Sequence, residues 1–313
     1  MIRLRRRSLL AATAMLVAAL PFGPSTQLLA QDQGRFVDLG PVTTSQIAPP
    51  KVVVWLPPGY DASKGRYGVV YMHDGQNLFD PKRSSFNKVW AADKSALRLI
   101  ASNKVAPFII VGIDQPGEDR WRQYFPRSML DYVSPETRAK LEARGNSKSL
   151  IADAYLRFIV FDLKPQIDQM FRTKKDRSHT GIIGSSMGGL ISLYAISKYP
   201  DVFGTAGAVS THLPLDDPNW AQAERQDIFA AWRHFVKQDL GKPKSRRIWF
   251  DHGTETLDAF YQPYQENLDA ALVANGWKKG KDFQSTVYVG TPHEENAWAA
   301  RMDDIFGWML QGR

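Results

Sequence analysis

A serine flanked by glycines is the first feature of this sequence that could carry chemistry. The stretch Gly184-Ser185-Ser186-Met187-Gly188 has the pattern G-x-S-x-G, with the apolar run "TGII" before it and the helical pattern "GLISLYAISKY" after it. This context of strand, turn and helix is typical of a nucleophile elbow, in which a strained turn exposes a serine hydroxyl. By spacing, Ser186 is the predicted nucleophile, and Ser185 only fills the position before it. We expect the backbone N–H of Met187, at the start of the helix, to donate to an oxyanion.

The predicted base is a histidine near the end of the chain. A serine hydroxyl is a weak nucleophile until a base takes its proton, and in this kind of architecture the chain order is serine, acid, histidine. His73 and His179 precede Ser186, and His234 falls within a helical pattern. His293, in "VGTPHEENAW" between the last apolar run and the last helical pattern, is therefore the candidate general base.

Two carboxylates in "WFDHGTETLDAFY" are candidates for the acid that partners the histidine. Glu255 lies two residues after Gly253, and Asp258 lies five residues after it, where the next helical pattern begins. Either side chain could orient the imidazole and stabilise its protonated form. We favour Asp258 slightly, because a position between loop and helix suits a fixed partner. In the alternative, Asp258 is a charge that stabilises a helix N-terminus, and Glu255 is an ordinary solvated loop residue.

A second oxyanion donor is expected in the loop "HDGQNLF", which follows the apolar run "VVYM". The backbone N–H of Gly75 or of Gln76 could supply it. Asp74 and Asp80 in the same region resemble metal ligands, but no complete ligand set accompanies them. We therefore expect neither a metal nor another cofactor.

Seven apolar runs predict the strands that position these loops. Continuous apolar runs are typical of strands buried on both faces, and their alternation with helical patterns indicates a parallel sheet. The predicted fold class is α/β, a mostly parallel, doubly wound sheet with helices on both faces and a small helical insertion after the fifth predicted strand. Polar loops at the carboxyl ends of such strands form the ligand crevice. The predicted strands lie within residues 50–61, 67–75, 106–117, 179–186, 204–210, 247–253 and 283–290.

With these motifs in place, the sequence resembles the esterase family of α/β-hydrolases that includes enterobactin, feruloyl and acetylxylan esterases, S-formylglutathione hydrolase and mycolyltransferases. The resemblance implies an α/β-hydrolase fold, with Ser186 and His293 as nucleophile and base and "DGQN" as the oxyanion loop. Many relatives place the acid at the position of Thr256, so a Ser-His dyad is the alternative to a triad. The matching stretches span about residues 50–300 and are "VVVWLPPGYD", "VVYMHDGQNLFD", "VGID…RWRQYFP", "KPQIDQMFRTKKDRSHTGIIGSSMGGLISLYAISKYPDVFG", "FDHGTETLD" and "PHEENAW".

The predicted crevice also collects candidate substrate-binding residues. Asp74 and His212 come from strand-end loops, and Trp121 and Arg122 come from "EDRWRQYFP". The insertion, which contains two tryptophans, is expected to form a helical flap near the crevice. These residues would make an aromatic-walled, partly cationic pocket suited to acyl esters of sugars or aryl acids. In the alternative, the tryptophans belong to the core, where large aromatic residues usually lie.

The sequence therefore favours a secreted serine esterase that forms an acyl-Ser186 intermediate on a small-molecule or carbohydrate-linked ester, including siderophore-like compounds. An acyltransferase with the same intermediate is the first alternative, because the two reactions differ only in the acceptor of the acyl group. A catalytically silent binding protein on the same fold is the second alternative, but the Ser-His pair shows no damage.

The first thirty residues are predicted to be a signal peptide. "MIRLRRRSLL" is basic, "AATAMLVAALPFG" is too short and too mildly apolar to span a membrane, and Ala30 offers a cleavage site. The pair Arg6-Arg7 also fits twin-arginine export, and an uncleaved anchor helix is the alternative. Residues 31–313 would then be a single periplasmic or extracellular domain without a stable membrane anchor.

The composition argues against two further kinds of function, nucleic-acid binding and cysteine chemistry. The net charge is +8, and because four arginines lie in the predicted signal peptide, the remaining chain carries +4. No stripe of basic residues accompanies this charge, so we expect no nucleic-acid partner. The sequence has no cysteine, which excludes disulfides and thiol catalysis.

Overall fold

A sheet of eight strands forms the centre of the protein. The computed structural model describes residues 33–145 and 148–312, so the predicted signal peptide, residues 1–30, lies outside the described residues. In chain order the strands are β1 (Arg35–Pro41), β2 (Lys51–Leu56), β3 (Gly68–His73), β4 (Phe108–Ile113), β5 (Thr180–Ser185), β6 (Thr205–Val209), β7 (Arg247–His252) and β8 (Phe283–Val287).

The strands are mostly parallel, in the spatial order β1-β2-β4-β3-β5-β6-β7-β8. β2 pairs antiparallel with β1 and β4, whereas all the other neighbouring strands are parallel. The predicted α/β fold class is confirmed. Ser185, Val209 and Asp251 are in register on β5, β6 and β7, so the loops that follow these strands leave the sheet side by side.

Helices cover both faces of this sheet, as predicted. In chain order they are α1 (Ala92–Ala101), α2 (Arg120–Tyr124), α3 (Pro135–Arg144), α4 (Ala152–Arg157), α5 (Lys164–Met170), α6 (Met187–Lys198), α7 (Gln222–Phe235), α8 (Gln262–Ala274) and α9 (Glu295–Leu310). On one face, α1 and α9 pack together through side chains such as Leu99 and Ile305. Leu190 of α6 and Leu268 of α8 belong to the core on the other face. No helix in the described part of the chain is long and apolar enough to cross a membrane.

The elements that were not predicted from the sequence include the strand β1 and the helix α3. β1 is an edge strand in which no residue is fully buried, so it lacks the apolar run of a central strand. In α3 only Thr137 and Leu141 are buried, and this helix is polar around most of its circumference. Elements that bury little side-chain surface carry a weak hydrophobic periodicity, which explains why both were missed.

The predicted helical insertion is present as α7, between β6 and β7. Its tryptophans belong to the core and do not form a flap over the crevice. Trp232 is fully buried and Trp220 is 9% exposed, and their indole N–H groups donate to the carbonyls of Leu213 and Pro214. The apolar surface of two large rings is better removed from water than left on a mobile flap, so the alternative that placed them in the core holds.

Candidate active site

Ser186 lies in the turn between β5 and α6. Its backbone has φ 56° and ψ −120°, a sparsely populated conformation that costs of order 1–3 kcal/mol for a residue with a side chain. Its backbone hydrogen bonds to other segments run from Ser186 N–H to the Val209 carbonyl (2.9 Å) and from His212 N–H to the Ser186 carbonyl (3.2 Å). A Cβ on Gly184 would lie 2.8 Å from the carbonyl carbon of Gly188, so the turn requires glycine at Gly184. This is the geometry of a nucleophile elbow.

His293 and Asp258 are joined by a hydrogen bond of 2.6 Å between Nδ1 and Oδ1. A carboxylate only accepts, so Nδ1 carries the proton and Nε2 remains as the acceptor of the ring. Oδ2 of Asp258 accepts from the Gly253 N–H (2.6 Å) and from the Ser210 hydroxyl (2.7 Å). Burial by itself would raise the pKa of Asp258, but the hydrogen bond and charge of His293, together with these two donors, lower it below its usual range. Asp258 is therefore ionised at neutral pH.

Glu255, the other candidate acid, is exposed and lies outside this contact. Its backbone N–H donates to the Thr291 carbonyl at 3.1 Å. The hydroxyl of the next residue, Thr256, accepts from the backbone N–H of His293 at 2.9 Å. Of the two carboxylates left open by the sequence, the structure brings Asp258 to the imidazole.

A second buried carboxylate, Asp251, lies behind Asp258. Its Oδ1 is 3.0 Å from Nη2 of Arg301, and its Oδ2 accepts from the Trp249 indole at 2.6 Å. Burial raises the pKa of Asp251, and the charge of Arg301 opposes this only in part. Arg301 also donates to the hydroxyl of Ser210, which in turn donates to Asp258. Since Arg301 pairs with Asp251, the main charged partner of Asp258 is His293.

The oxyanion loop predicted from "DGQN" is a short 3₁₀ turn, Gly75–Asn77. Gly75 lies in its packed inner side, because a Cβ there would be 2.6 Å from the backbone nitrogen of Ile113. Gln76 lines the cleft beside Ser186, and an N–H in the first turn of a helix has no acceptor within that helix. The same holds for Met187, the first residue of α6. Of the two predicted donors in this loop, Gln76 lines the cleft with Ser186 and Gly75 does not.

Ser186 and His293 line one open cleft at the carboxyl edge of the sheet. Asp74, predicted to contact substrate, reaches this cleft, but its carboxylate is held in a two-pronged ion pair by Arg120, with distances of 2.7 and 2.8 Å. Phe86 is 83% exposed at the cleft. Other polar residues in the lining are Gln76, Asn77, Ser85, Gln115, Ser185 and Glu295.

Two of the predicted substrate-binding residues lie elsewhere. Trp121 packs against Phe125, with ring centroids 4.7 Å apart, and lines a separate cavity. Arg122 pairs with Asp119 at 2.6 Å and donates to the carbonyl of Ser149. Residues two apart on a short helix do not face the same side, and Arg120, rather than Arg122, reaches the cleft.

His212 lies next to the cleft but is buried behind Tyr261. Its Nε2 donates to the Asp216 carbonyl at 2.7 Å, so Nδ1 accepts from the Tyr261 hydroxyl, also at 2.7 Å. Burial lowers the pKa of His212 to about 4. The Tyr261 hydroxyl also lies close to Ser186, so His212 supports Ser186 through its own backbone N–H and through Tyr261.

The sequence analysis did not single out Arg120, Asn77, Tyr261 or Glu295, all of which the structure places at or beside the cleft. Asn77 and Glu295 lie within one or two residues of predicted site residues, and this adjacency was the available signal. Within residues 33–145 and 148–312, no three His, Asp or Glu side chains come together as a metal site would require.

An eight-stranded, mostly parallel sheet with helices on both faces and a strained turn after its fifth strand is the α/β-hydrolase fold. The family model described as "Putative esterase" matches residues 46–309. The chain therefore belongs to this esterase family, and the predicted resemblance is confirmed.

Three similar proteins illustrate the relationship. Over 160 residues the chain is 28% identical to YbbA of Bacillus subtilis. The aligned region covers 51% of this chain and 56% of YbbA. It is 30% identical over 152 residues to the ferri-bacillibactin esterase BesA of the same organism, covering 47% of this chain and 48% of BesA. The chain thus spans about half the length of these curated relatives. A solved ferulic acid esterase superposes with a TM-score of 0.63 at 20% identity, over 89% of this chain and 98% of that one, which is a likeness of fold.

Proposed function

We propose that the protein is a serine carboxylic-ester hydrolase that works through an acyl-Ser186 intermediate. The observation that carries the proposal is the convergence of three chain segments at one cleft. The strained turn presents Ser186, the loop after β8 supplies His293, and the turn after β7 supplies an ionised, buried Asp258 that fixes the imidazole. A nucleophile, a base and an orienting acid are the groups that acyl transfer needs.

In the first half of the reaction, Nε2 of His293 takes the proton of the Ser186 hydroxyl as Oγ attacks the ester carbonyl. The tetrahedral oxyanion accepts hydrogen bonds from the backbone N–H groups of Gln76 and Met187. The bond to the alcohol oxygen then breaks, and His293 returns the proton to the leaving alcohol. Asp258 stabilises the imidazolium in between.

In the second half, water attacks the acyl-Ser186 carbonyl while Nε2 of His293 takes one of its protons. The second tetrahedral intermediate forms at the same two N–H donors. Its collapse breaks the bond to Oγ, releases the carboxylic acid and restores the serine hydroxyl with the proton from His293. The acyl group passes from alcohol to water, and every proton is accounted for.

The proposed substrates are acyl esters of sugars, aryl acids or siderophore-like compounds. The names of relatives support this range, since one is a ferri-bacillibactin esterase and a structural neighbour is a ferulic acid esterase. Within this structure, the exposed ring of Phe86 supports an aromatic group, because an aromatic ring at a cleft mouth can stack on a flat substrate. The polar floor of the cleft supports a substrate with several hydrogen-bonding groups.

We also propose that the protein is exported to the periplasm or beyond by a signal peptide at residues 1–30. The support is the basic and apolar pattern of that segment. Mass spectrometry of the protein isolated from its native host should find Gln31 as the N-terminus in the exported fraction. An intact N-terminus in that fraction would overturn cleavage at this site.

The mechanism is tested by a panel of acetyl, feruloyl, longer acyl and ferric-siderophore esters. We expect Ser186→Ala to abolish turnover of every ester that the wild type hydrolyses, and Ser185→Ala to lose less than about tenfold in kcat/KM, because Ser185 only fills the position before the nucleophile in the G-x-S-x-G pattern. Mass spectrometry after a rapid quench should show one acyl group on Ser186. Hydrolysis that survives Ser186→Ala would sink the mechanism.

A further inference from the structure

A buried carboxylate beside the base is not used by the proposed mechanism. Glu295 is the first residue of α9, two residues after His293, and it is 8% exposed in the lining of the same cleft. Its Oε1 accepts from the amide nitrogen of Asn77 at a long 3.4 Å. Asn77 belongs to the same 3₁₀ turn as Gln76, so Glu295 lies between the base and the oxyanion loop.

The bonding of Glu295 is incomplete. A carboxylate has two oxygens and about four acceptor positions, and among the described residues Asn77 is the one side chain that donates to it. Arg120, the nearest guanidinium in the cleft, is already held by Asp74. Burying a carboxyl group with few partners is unfavourable, and burial raises the pKa of Glu295, although a hydrogen bond from its own backbone N–H and the charge of Lys88 oppose the rise. Such a group in a cleft is a candidate for ligand contact.

The neighbouring residue shows that the helix does not need this carboxylate for its own stability. An acidic residue near a helix N-terminus is stabilising, and Glu294 supplies one there. Glu294 forms an ion pair with Lys88 outside the cleft lining, whereas Glu295 has no ion pair with any lysine or arginine of the described residues. The two glutamates therefore differ in what they face: Glu295 lines the cleft and Glu294 does not.

The position of Glu295 selects the alcohol side of the ester. The leaving oxygen must lie next to His293, which protonates it, while the carbonyl oxygen lies at Gln76 and Met187. Glu295 follows His293 by two residues and lines the same cleft, and it contacts the turn that carries Gln76. An acceptor at that place can take a hydrogen bond from a further hydroxyl on the leaving alcohol. We infer that Glu295 accepts such a hydroxyl, and that the cleft prefers esters of polyhydric alcohols to esters of simple alkyl alcohols.

This inference rests on the proposed function, and matched substrates test it. Glycerol 1-monoacetate and propyl acetate share an acyl group and a three-carbon alcohol but differ by two hydroxyls, and the corresponding ferulates form a second pair. We expect the wild type to favour the glycerol ester at least roughly tenfold in kcat/KM, as one hydrogen bond to a charged group allows. Glu295→Ala should reduce this ratio to within about threefold of one, mainly by loss on the glycerol ester.

Two further variants separate recognition from structure. Glu295→Gln keeps a carbonyl acceptor and should retain part of the preference, whereas Glu294→Ala removes a charge from the same helix turn and should leave the ratio as in the wild type. Equal rates of the wild type on both members of each pair would overturn the inference. A loss in Glu295→Ala that is equal for both esters would overturn it as well, because it would show a structural role.

The outcome is distinct from failure of the proposed function. If the wild type hydrolyses none of the esters in the pairs or in the panel above, the esterase proposal itself fails. If it hydrolyses them without preference for the glycerol alcohol, only the role of Glu295 is lost. The wild-type ratio decides this even if Glu295→Ala does not fold.

Discussion

Two histidines lie beside Ser186, and they are bonded in opposite ways. His293 uses Nδ1 for Asp258, and its Nε2, at the surface of the cleft, has no hydrogen-bond partner among the described residues. In His212 both ring nitrogens are occupied, one by the Tyr261 hydroxyl and the other by the Asp216 carbonyl. Both histidines lie in loops that follow parallel strands, and both are near Ser186. A histidine that can act as a base has one ring nitrogen fixed by a hydrogen bond and the other available to take a proton. In a supporting histidine, both ring nitrogens are already hydrogen-bonded.

The largest expected effect separates the two rings directly. His293→Gln removes the proton acceptor for Ser186 and should lower kcat/KM by roughly 10⁴-fold or more, as loss of a triad histidine does. His212→Gln keeps a donor and an acceptor in a similar place, and we expect a loss of less than about tenfold. Steady-state kinetics on one good ester measures both. Comparable losses in the two variants would contradict the assignment of roles.

The next largest effect concerns Asp258, which holds the imidazole of His293 in place. Asp258→Asn should lower kcat/KM by roughly 10²- to 10⁴-fold, because an amide no longer stabilises the imidazolium or enforces its tautomer. Glu255→Gln is the matched control on the same loop, and its exposed side chain should be dispensable, with less than about twofold change. A fully active Asp258→Asn enzyme would favour a Ser-His dyad.

The smallest expected effect is on the free energy of unfolding at acidic pH, to which the buried His212 contributes. The folded-state pKa of His212 is lowered to about 4, below the value near 6.5 of an unfolded chain, so the unfolded state binds the proton more readily. His212 therefore contributes stability that is fully present above pH 6.5 and is lost as the pH falls toward 4. Between pH 7 and pH 5 this loss amounts to about 2 kcal/mol.

His212→Gln should abolish the part of the acid-induced loss of stability that is due to His212. Chemical denaturation at pH 7 and pH 5 should show a fall in the free energy of unfolding that is smaller by about 2 kcal/mol in the variant than in the wild type. His234→Gln, at an exposed position on α7, is the control and should behave as the wild type does. The buried His73, whose pKa is lowered to about 3, is present in all three proteins and cancels. An identical acid response in His212→Gln and wild type would show that His212 is not held neutral by burial.

Much of the architecture was predictable because it depends on local patterns. Continuous apolar runs mark strands buried on both faces, and the strands from β2 to β7 carry them. β1 does not, because an edge strand exposes most of its side chains. The turn at Ser186 was predictable for a similar reason, since only glycine fits where Gly184 meets Gly188. These signals lie within a few residues of the feature they predict.

The substrate-facing residues were harder, because they depend on the direction of individual side chains. Trp121 and Arg122 were expected at the cleft, but α2 turns Arg120 toward it instead. The tryptophans of the insertion were expected on a flap and are in the core. An aromatic or cationic residue near a loop can point either way without changing the sequence pattern, and the packing of the neighbouring elements decides which.

By itself, the sequence determined the fold class, the candidate nucleophile and the loops from which its partners must come. These follow from periodicity and chain order, which are local or one-dimensional properties. Only the tertiary structure decided which carboxylate meets His293, that His293 keeps one ring nitrogen free whereas His212 keeps none, and that Glu295 faces the cleft. Asp258 and His293 are 35 residues apart in the chain and 2.6 Å apart in space. Such a pairing depends on how β7 and β8 lie side by side, and no local pattern contains that distance.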